Sequence, residues 1–298
     1  MNQQQNELIK SGMVALVGPP NVGKSTLLNA LLGQKISIVS PKPQTTRNRI
    51  LGIVNGPGYQ VVLVDTPGLH KGTILLNVEM LKVAMETLSE VDIIVFMVDA
   101  TMPPPRPDSD LTECLAGRTT PVILLINKID LIGRAKILPL IQAYQFLHDF
   151  AAIIPISALR GDGPDRVLDE LVARLPEGPL YFPDDIPTDA TVRSIAAEMI
   201  REKVFLLTGQ EVPYGAAVMI DRFQEGESLI TIDATIIVER DSQKGIVIGK
   251  HGAKLKEIGT AARRDIEELT ECKVMLKLFV KVVKNWTKNP SFLAEIGF

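Results

Sequence analysis

The stretch GPPNVGKS at residues 18–25 decides the fold of the first half of the chain. It fits the pattern GxxxxGK(S/T), follows an apolar run at 13–17 and opens an amphipathic stretch at 25–32. A glycine-rich turn between a strand and a helix directs backbone N–H groups and the positive end of the helix dipole at a phosphate. We therefore predict a phosphate-binding loop. Its expected contacts are Gly18, Pro19, Pro20, Asn21, Val22, Gly23, Lys24, Ser25 and Thr26.

A second motif, DTPG, follows the next internal strand at 61–64 and supplies a carboxylate. It consists of Asp65, Thr66, Pro67 and Gly68. In a nucleotide site of this kind the Lys24 ammonium neutralises the β- and γ-phosphates, and the Ser25 hydroxyl and the Asp65 carboxylate hold Mg²⁺, the latter directly or through water. The Gly68 N–H is placed to sense the γ-phosphate. We predict Lys24 and Gly68 as catalytic residues.

A threonine-bearing loop, PKPQTTR at 41–47, lies between the first helix and the next strand. A hydroxyl in a loop that orders around Mg²⁺ and the third phosphate is what a nucleotide-dependent switch requires. We predict catalytic roles for Thr45 and Thr46 and assign the Mg²⁺ ligand to Thr46, with Thr45 as the alternative. An ordinary proline-bounded loop is the other interpretation.

Leu69 follows DTPG at the position where some nucleotide hydrolases carry a water-orienting glutamine. A leucine side chain cannot polarise water. We therefore expect slow intrinsic hydrolysis, on the order of 10⁻⁴–10⁻² s⁻¹, with help from a partner, another residue or a monovalent cation.

The sequence NKID at 127–130 follows the apolar run 122–126 and indicates which base is bound. The Asp130 carboxylate can accept hydrogen bonds from N1–H and the exocyclic amine of guanine, whereas adenine presents a lone pair at N1 and is repelled. We predict GTP and GDP as ligands. The residues expected at the base are Asn127, Lys128 and Asp130, with the later turn of Ser157, Ala158 and Leu159 against the guanine O6.

Short apolar runs and amphipathic stretches alternate through the first 175 residues. The runs are 13–17, 61–64, 93–98, 122–126 and 153–156, and the stretches are 25–32, 76–88, 137–150 and 167–175. This alternation predicts an α/β domain with a mostly parallel sheet and helices on both faces. The turn NGPG at 55–58 predicts a hairpin between 49–54 and 59–64, and hence one antiparallel edge.

Composition limits the remaining possibilities. The 298 residues are 46% hydrophobic and 22% charged, with a net charge of −3, so any nucleic-acid surface must be local. Cys114 and Cys272 form no CxxC pair, which favours a reducing cytoplasm over a disulfide or zinc framework. The start of the chain, MNQQQNELIK, lacks the apolar core of a signal peptide, and no apolar run approaches the ~20 residues that span a bilayer.

Four prolines between residues 176 and 187 mark a linker, because proline at this density continues neither a helix nor a central strand. We predict a nucleotide-binding domain at 1–178, a linker at 179–190 and a smaller α+β domain at 191–298. Within the last domain we predict helices at 192–207 and 253–269, and strands at 215–223, 228–239 and 273–282.

The smaller domain contains the loop GKHG at 249–252 after a short helix. The order helix, strand, strand, short helix, GxxG, helix, strand is that of a KH module, which clamps about four nucleotides. The predicted RNA-binding residues are Lys244, Ile246, Ile248, Gly249, Lys250, His251, Gly252 and Lys254, with Val247 as a further candidate for the apolar groove.

Charge is distributed unevenly along the chain. Residues 240–290 hold twelve basic and six acidic side chains, a net charge of +6 in a chain of net −3. Phosphate-backbone binding requires such a local excess, although a solvated basic face would also produce it. For Trp286, anchoring of the C-terminal segment is favoured over stacking on a base.

These motifs together resemble the Era family of bacterial GTPases over residues 13–298. The matching segments are GPPNVGKST (18–26), PQTTR (43–47), DTPG (65–68), NKID (127–130), ISA (156–158), VERDSQKGIVIGKHG (238–252) and AARRDIE (261–267). The resemblance implies a GTP-dependent factor in assembly of the small (30S) ribosomal subunit that binds the 3′ end of the small-subunit (16S) rRNA through the KH domain. It also implies a cytoplasmic protein in peripheral association with the inner membrane, and we expect a monomer.

The resemblance adds one cofactor. Asn21 matches an asparagine that holds K⁺ in related cation-stimulated GTPases, so K⁺ is a candidate cofactor of hydrolysis. His251 stands inside GxxG where glycine is frequent, while both outer glycines are present. Two other functions remain open: a GTPase whose second domain binds a protein, and a non-hydrolysing assembly scaffold. Lys24, Ser25, Asp65 and Asp130 argue against the scaffold.

Overall fold

The computed structural model describes residues 8–40, 42, 46–47, 49–68, 75–104, 115, 117–209, 212 and 215–296. The chain divides into two compact units. The first comprises Met1–Gln34, Thr46–His70 and Met80–Asp189, and the second comprises Lys35–Thr45, Lys71–Glu79 and Ala190–Phe298.

The first unit is built on a seven-stranded sheet. Its strands are β1 (Ile9–Val17), β2 (Ile50–Gly56), β3 (Tyr59–Asp65), β4 (Ile93–Asp99), β5 (Val122–Asn127), β6 (Ala152–Pro155) and β7 (Glu177–Gly178). The order is β2-β3-β1-β4-β5-β6, with β7 paired to the start of β1. β1, β3, β4, β5 and β6 are mutually parallel, and β2 forms an antiparallel hairpin with β3. The predicted parallel sheet with one antiparallel edge is confirmed.

Both faces of this sheet are buried. On β1, Val14 and Leu16 pack into one apolar cluster, while Ala15 and Val17 pack into another on the opposite face. The described helices of this part of the chain are α1 (Lys24–Leu32), α2 (Leu75–Thr87), α3 (Ile137–Tyr144) and α4 (Pro164–Arg174). A parallel sheet covered on both faces places the loops after its strands at one edge, where ligands bind in α/β folds.

Helix α3 ends earlier than the predicted range 137–150. After Tyr144 the α-helical hydrogen-bond pattern gives way to a turn: Leu147 N–H donates to the carbonyl three residues earlier, that of Tyr144, at 2.9 Å. Leu147 and Phe150 still pack against the core, but from a turn and a loop. The apolar character of Leu147 and Phe150 led to a predicted helix through residue 150, but the helical backbone ends at Tyr144.

The proline-rich segment is held along the first unit. Ser11 N–H donates to the Pro176 carbonyl at 3.0 Å, and Ile53 N–H donates to the Pro187 carbonyl at 2.8 Å. Gln60, fully buried, donates to the Phe182 carbonyl at 2.9 Å. The proline-rich segment is neither a helix nor a central strand, but its carbonyls accept hydrogen bonds from residues of the sheet.

The second unit contains a three-stranded sheet with the order β10-β9-β8. Its elements in chain order are α5 (Val192–Leu207), β8 (Ala217–Glu225), β9 (Leu229–Val238), α6 (Asp241–Ile248), α7 (Ala253–Thr270), β10 (Lys273–Val282) and α8 (Pro290–Glu295). β8 is antiparallel and β10 parallel to β9. The predicted order of helices and strands is confirmed, and α5 and β10 match their predicted ranges at both ends.

The segment Lys35–Thr45, which includes part of the predicted switch loop at 41–47, belongs to the second unit. Lys35 Nζ lies 2.6 Å from Glu202 Oε2 on α5 and 2.7 Å from Asp265 Oδ2 on α7. Lys42 Nζ donates to the carbonyls at the end of α5, including that of Thr208 at 2.7 Å. Cations at a helix C-terminus are stabilised by its unpaired carbonyls and by the helix dipole.

Candidate functional site

Two glycines give the phosphate-binding loop its shape. Gly18 has φ 147° and Gly23 has φ 106°, conformations that other residues rarely adopt. A Cβ on Gly18 would lie 2.2 Å from the Met97 carbonyl oxygen, and one on Gly23 would lie 2.3 Å from Nδ2 of Asn127. The loop can therefore curl only because neither residue carries a side chain.

Lys24 lies inside this curl. Its side chain is buried, and Nζ donates to the carbonyls of Gly18 at 3.2 Å and Pro19 at 3.1 Å. Burial lowers the pKa of Lys24 from 10.5 to about 8, although the negative charge of Asp65 acts in the opposite direction. A phosphate group in the loop would supply the charge that favours the ammonium form.

Ser25, Thr46 and Asp65 converge as predicted for a Mg²⁺ site. Ser25 Oγ donates to Asp65 Oδ2 at 2.7 Å and lies 2.9 Å from Thr46 Oγ1. Thr46 Oγ1 also donates to Asp65 Oδ2 at 3.3 Å. Mg²⁺ prefers oxygen ligands and usually keeps several waters beside one carboxylate and substrate phosphates, so this set fits Mg²⁺. Thr45, the alternative ligand, lies outside the described residues.

The DTPG motif lies against the phosphate loop. Thr66 Oγ1 donates to the Leu16 carbonyl at 2.8 Å, which fixes the end of β3 beside β1. A Cβ on Gly68 would lie 2.9 Å from both N and Cα of Pro20. The Gly68 backbone therefore lies directly against the phosphate-binding loop. Leu69, predicted to slow hydrolysis, lies outside the described residues.

Asn127 joins the two ends of the nucleotide site. Its Nδ2 donates to the Val22 carbonyl at 2.7 Å, and its Oδ1 accepts from Ala158 N–H at 3.0 Å. The side chain is buried, so this amide fixes the phosphate loop relative to the turn that follows β6. The structure assigns Asn127 a bridging role that its motif position alone did not indicate.

The carboxylate predicted to recognise the base, that of Asp130, is oriented by a neighbour. Ser157 Oγ donates to Asp130 Oδ1 at 2.6 Å. Lys128 has φ 66°, and its Nζ lies 2.6 Å from Asp99 Oδ2 at the end of β4. Burial raises the pKa of Asp99, but hydrogen bonds from Lys128 and Thr101 outweigh burial and hold it below 3.8. Asp99 was not among the predicted site residues, although the last residue of a parallel strand is where such a partner lies.

The other predicted nucleotide contacts also lie in these loops. Val22 is buried and acts through its carbonyl, whereas Asn21 has φ 62° and an exposed side chain. Leu159 follows Ala158 and is 78% exposed. Four others complete the phosphate-side loops: Pro19, Pro20, Thr26 and Pro67.

The GKHG loop of the second unit connects α6 to α7. Gly249 has φ 69° and ψ 179°, a region open essentially only to glycine, and a Cβ there would lie 2.6 Å from Cβ of Lys254. Gly252 has φ 78° and faces open space, so it is required for its conformation alone. His251 occupies the exposed tip with φ 51°. The loop therefore presents its backbone outward.

A groove of about 350 Å³ lies beside this loop, between α7 and β10. Its lining residues are Gly252, Leu255, Lys256, Gly259, Thr260, Arg263, Leu276 and Leu278. A Cβ on Gly259 would lie 3.3 Å from Leu278 Cδ1, so the glycine keeps the helix close to the strand. The groove combines an apolar floor with two cations, which suits bases and phosphates respectively.

Only part of the predicted RNA-binding set lines this groove. Gly252 does, whereas Val247 is fully buried and cannot contact a ligand. Ile246 is 43% exposed, and Lys254 pairs with Glu257 at 2.7 Å. The remaining predicted residues lie on α6 or at the loop: Lys244, Ile248, Gly249, Lys250 and His251. The groove residues on α7 and β10 were missed, because nothing in the motif indicates which helix and strand faces meet.

Trp286 anchors the C-terminal segment, as favoured from the sequence. It is fully buried, and its Nε1 donates to the Gly215 carbonyl at 3.0 Å. Base stacking by Trp286 is therefore excluded in this conformation. Cys272 is a free, half-buried thiol, and Cys114 lies outside the described residues.

Among the residues that the structure describes, no helix is both long and apolar enough to cross a membrane. Within the same ranges, no group of three or more His, Cys, Asp or Glu side chains is arranged to hold a metal ion. The Mg²⁺ set above relies instead on two hydroxyls and one carboxylate.

The two parts of the chain match two protein families. Residues 13–128 match the family described as 50S ribosome-binding GTPase, and residues 211–287 match the KH domain family. With the geometry above, these matches define the class of protein: a P-loop GTPase domain followed by a KH domain.

Relatives of similar length narrow this class. The chain is 53% identical to GTPase Era of Geobacter metallireducens over 291 residues, 97% of this chain and 98% of that protein. It is 52% identical to GTPase Era of Syntrophus aciditrophicus over 293 residues, 98% of this chain and 96% of that one. The chain belongs to the Era family of GTPases, enzymes that hydrolyse GTP.

Two solved Era structures have the same fold, each with a TM-score of 0.93 over 97% of this chain and 99% of the other. One is an Aquifex aeolicus Era variant, 42% identical, bound to GDP and AlF4⁻. The other, 44% identical, is Era with Mg-GDPNP and nucleotides 1506–1542 of 16S rRNA. The predicted guanine nucleotide and Mg²⁺ agree with these relatives.

Proposed function

We propose that this GTPase binds the 3′ end of small-subunit rRNA in the groove between α7 and β10 and assists assembly of the 30S subunit. The observation that carries the RNA part is the groove itself, where Lys256 and Arg263 lie beside apolar side chains and the glycine loop. KH modules use such a loop and groove to clamp about four unpaired nucleotides. The 16S rRNA segment bound by the Era relative supports the same class of ligand.

The GTPase half supplies the switch. Ser25, Thr46 and Asp65 would hold the Mg²⁺ that accompanies GTP, and the ion would supply positive charge against the charge that develops at the γ-phosphate. Lys24 holds the β- and γ-phosphates, and Gly68 N–H is positioned against the third phosphate. In the structure Thr46 Oγ1 contacts Ser25 and Asp65. A bound Mg²⁺ would replace these hydrogen bonds by a metal contact and so couple Thr46 to the nucleotide state.

Filter binding tests the RNA part. The probe is an RNA with the sequence of 16S nucleotides 1506–1542, measured with the full chain in the GTP-analogue and GDP states. We expect salt-sensitive binding that differs between the two states, and about tenfold weaker binding for Arg263→Gln, since a lost phosphate contact removes one charge-assisted hydrogen bond. Lys136→Gln, on the exposed surface of the first unit, is the matched control.

Two other functions make different predictions. A second domain that binds only protein would show no salt-sensitive RNA binding in either nucleotide state. A scaffold with an inactive nucleotide site would bind RNA without any turnover of GTP. Phosphate release by the parent protein, lost in Lys24→Met, separates the proposed function from the scaffold.

We propose slow intrinsic hydrolysis assisted by K⁺. Leu69 cannot orient water, and Asn21 lies in the phosphate loop with its side chain exposed beside the expected phosphates. Single-turnover hydrolysis in K⁺ should exceed that in Na⁺, and Asn21→Ala should remove the difference. A fast rate in Na⁺ without any partner would contradict both statements.

We propose a cytoplasmic monomer that contacts the inner membrane peripherally, on the strength of the family resemblance, and domain boundaries at residues 178 and 190. Sedimentation equilibrium measures the monomer mass. Flotation with anionic lipid vesicles measures membrane contact, and a protein that stays at the bottom of the gradient contradicts it.

A further inference from the structure

Strand β10 presents different side chains to the two sides of its sheet. Leu276 and Leu278 line the groove under α7. Successive side chains of a strand alternate between faces, so the intervening residues point to the opposite side. They form what we name the outer face of β10: Lys273, Met275, Lys277, Phe279 and Lys281.

This outer face is exposed and basic. All three lysines are exposed, Phe279 is 55% exposed and Met275 is 41% exposed. Within the described part of the chain, none of these lysines has a carboxylate within 4.0 Å. The carboxylate opposite in register is that of Asp233, which faces Lys277 from β9. The positive charge is therefore available to an external anion.

The spacing suits a strand of nucleic acid. Lysines four residues apart on a strand are separated by ~13 Å, so the three follow an extended path along β10. Phe279 lies between Lys277 and Lys281 on the same face. An aromatic ring between cations is the arrangement by which proteins bind single-stranded nucleic acid, with bases stacked on the ring and phosphates on the charges.

The outer face is continuous with the groove. β10 is an edge strand, since the order of the sheet is β10-β9-β8. A chain that leaves the groove over this edge has to cross one strand, a width of ~5 Å. Because a KH groove holds only about four nucleotides, a longer RNA must continue beyond it.

We propose that the outer face of β10 is a second RNA-binding surface, which holds the single-stranded RNA that flanks the nucleotides in the groove. The lysine ammonium groups bind its phosphates, and Phe279 stacks on one unpaired base. The proposal rests on the proposed function, because the groove must first bind RNA. Two other roles are possible for the same residues. Lysines on an edge strand discourage pairing with another sheet, and Phe279 could contact a second copy of this chain.

The test compares two RNA lengths on the same protein. The long probe has the sequence of 16S nucleotides 1506–1542, and short probes are overlapping six-nucleotide pieces of it, which suffice for the groove alone. The variant is Lys277→Thr with Lys281→Thr, because threonine preserves strand propensity. Lys277→Arg with Lys281→Arg restores the charge, and Lys82→Gln with Lys136→Gln removes two exposed lysines from the first unit. Thermal unfolding checks that each variant is folded.

For the threonine variant we expect weaker binding of the long RNA, unchanged binding of the best short RNA, and a slope of log K against log salt that is smaller by ~1.4. The arginine variant should bind as the parent does, and so should the first-unit control. Phe279→Thr should lower affinity for the long RNA about tenfold.

The outcomes separate the two proposals. If the threonine variant binds the long RNA with the parent affinity and salt slope, the outer face is not an RNA surface, and the lysines serve only to protect the edge. Self-association of the parent that Phe279→Thr abolishes, with RNA affinity unchanged, would assign the face to a second copy. If the parent binds neither RNA, the proposed function fails as well. A threonine variant that loses the short RNA also contradicts the proposal, because the groove then depends on the same lysines.

Discussion

Lys24 is buried in the phosphate loop, where two carbonyls and a nearby carboxylate favour its charge. Its pKa of about 8 lies close to neutral pH, so a modest change in pH alters its charge in the free protein. A bound triphosphate surrounds the ammonium with negative charge and favours the protonated form. We therefore expect nucleotide binding and proton uptake to be linked at this residue.

We expect the affinity for GTP to fall as pH rises above about 8, by at most tenfold per pH unit, because binding must then recruit a proton to Lys24. Isothermal titration calorimetry between about pH 7 and about pH 9, in buffers of different ionisation enthalpy, measures both affinity and proton uptake. Lys24→Met is the control: the guanine base of the ligand titrates with both proteins, whereas the variant lacks the lysine that titrates near pH 8. It should bind weakly with no proton uptake near pH 8, and equal uptake by both proteins would contradict the assignment.

We propose that Asp130 selects the base through two hydrogen bonds; Ser157 Oγ donates to its carboxylate at 2.6 Å and holds it in place. Replacing Asp130 by Asn turns one acceptor into a donor, so the exocyclic amine of guanine loses its partner while the C2 carbonyl of xanthine gains one. Each charge-assisted bond contributes ~1.5–3 kcal/mol, so Asp130→Asn should lose GTP affinity by ~10²-fold or more and gain affinity for xanthosine triphosphate.

Fluorescence titration with GTP and xanthosine triphosphate measures this exchange. Asp162→Asn is the control, because that carboxylate lies near the same turn but bonds Arg166 at the surface. Full GTP affinity in Asp130→Asn would show that another group reads the base.

The sequence predicted the ends of some elements better than those of others, and the reason is local. Strands of the parallel sheet are continuous apolar runs between polar residues. The predicted ranges of β4 and β5 therefore agree with the observed ranges to within one residue at each end. Helix α5 has a threonine cap at Thr191, whose side chain accepts from Ser194 N–H, and its predicted range is correct. Helix α3 has no such signal at its C-terminus, so its predicted range was too long.

The loop between α6 and α7 gives a matched pair of glycines. Gly249→Ala places a Cβ 2.6 Å from Cβ of Lys254 and 3.0 Å from its backbone N, in a conformation essentially limited to glycine. In Gly252→Ala the added Cβ meets no atom within 4 Å, so the sole cost is that of an alanine in the left-handed backbone conformation. We expect Gly252→Ala to lower the free energy of unfolding by ~1–2 kcal/mol and Gly249→Ala to lower it further.

Urea unfolding followed by circular dichroism measures both glycine variants. Gly133→Ala, a surface glycine of the first unit with open space around it and an ordinary φ of −70°, is the control and should change little. Equal destabilisation by Gly249→Ala and Gly252→Ala would show that the contact with Lys254 is relieved by movement of the loop.

The grouping of residues 35–45 with the second unit was not predictable from the sequence. The segment has no periodic pattern, and Lys35 reaches partners 167 and 230 residues further along the chain. A motif, by contrast, is recognised within a few neighbouring residues of the chain. Lys24 and Ser25 were therefore identified from one motif, and Asp65 from another. The groove residues Lys256 and Arg263 resemble Lys35 in this respect, since only the packing of α7 on β10 brings them to the groove.

Four charges meet in this unit, two from lysines and two from carboxylates. Lys203 Nζ lies 2.5 Å from Asp265 Oδ2 and 2.8 Å from Glu202 Oε2, the same two carboxylate atoms that Lys35 contacts. Burial raises the pKa of Asp265, but the hydrogen bonds and charges of Lys203 and Lys35 outweigh it, so the folded-state pKa lies below 3.8. Burial lowers the pKa of Lys203, and the two carboxylates outweigh it in the opposite direction, to above 10.5.

These shifts define when the cluster stabilises the fold. A carboxyl with a lowered folded-state pKa contributes stability above its unfolded pKa, and the contribution is lost as pH falls through the folded value. We expect Asp265→Asn to lower the free energy of unfolding of this unit at neutral pH, and the difference from the parent to shrink as pH falls below about 4. Urea unfolding of both proteins across that range measures the difference.

Glu177→Gln is the matched control, because Glu177 also faces a lysine, Lys10, but at 3.8 Å and with its side chain 66% exposed. Surface pairs of this kind contribute ~0–1 kcal/mol, so this variant should behave as the parent at every pH. Lys35→Met should also lower the free energy of unfolding at neutral pH, as Asp265→Asn does, since Glu202 and Asp265 would then share Lys203 without Lys35. A gap between parent and Asp265→Asn that stays constant down to the lowest pH would mean that the carboxyl acts by packing and not by charge.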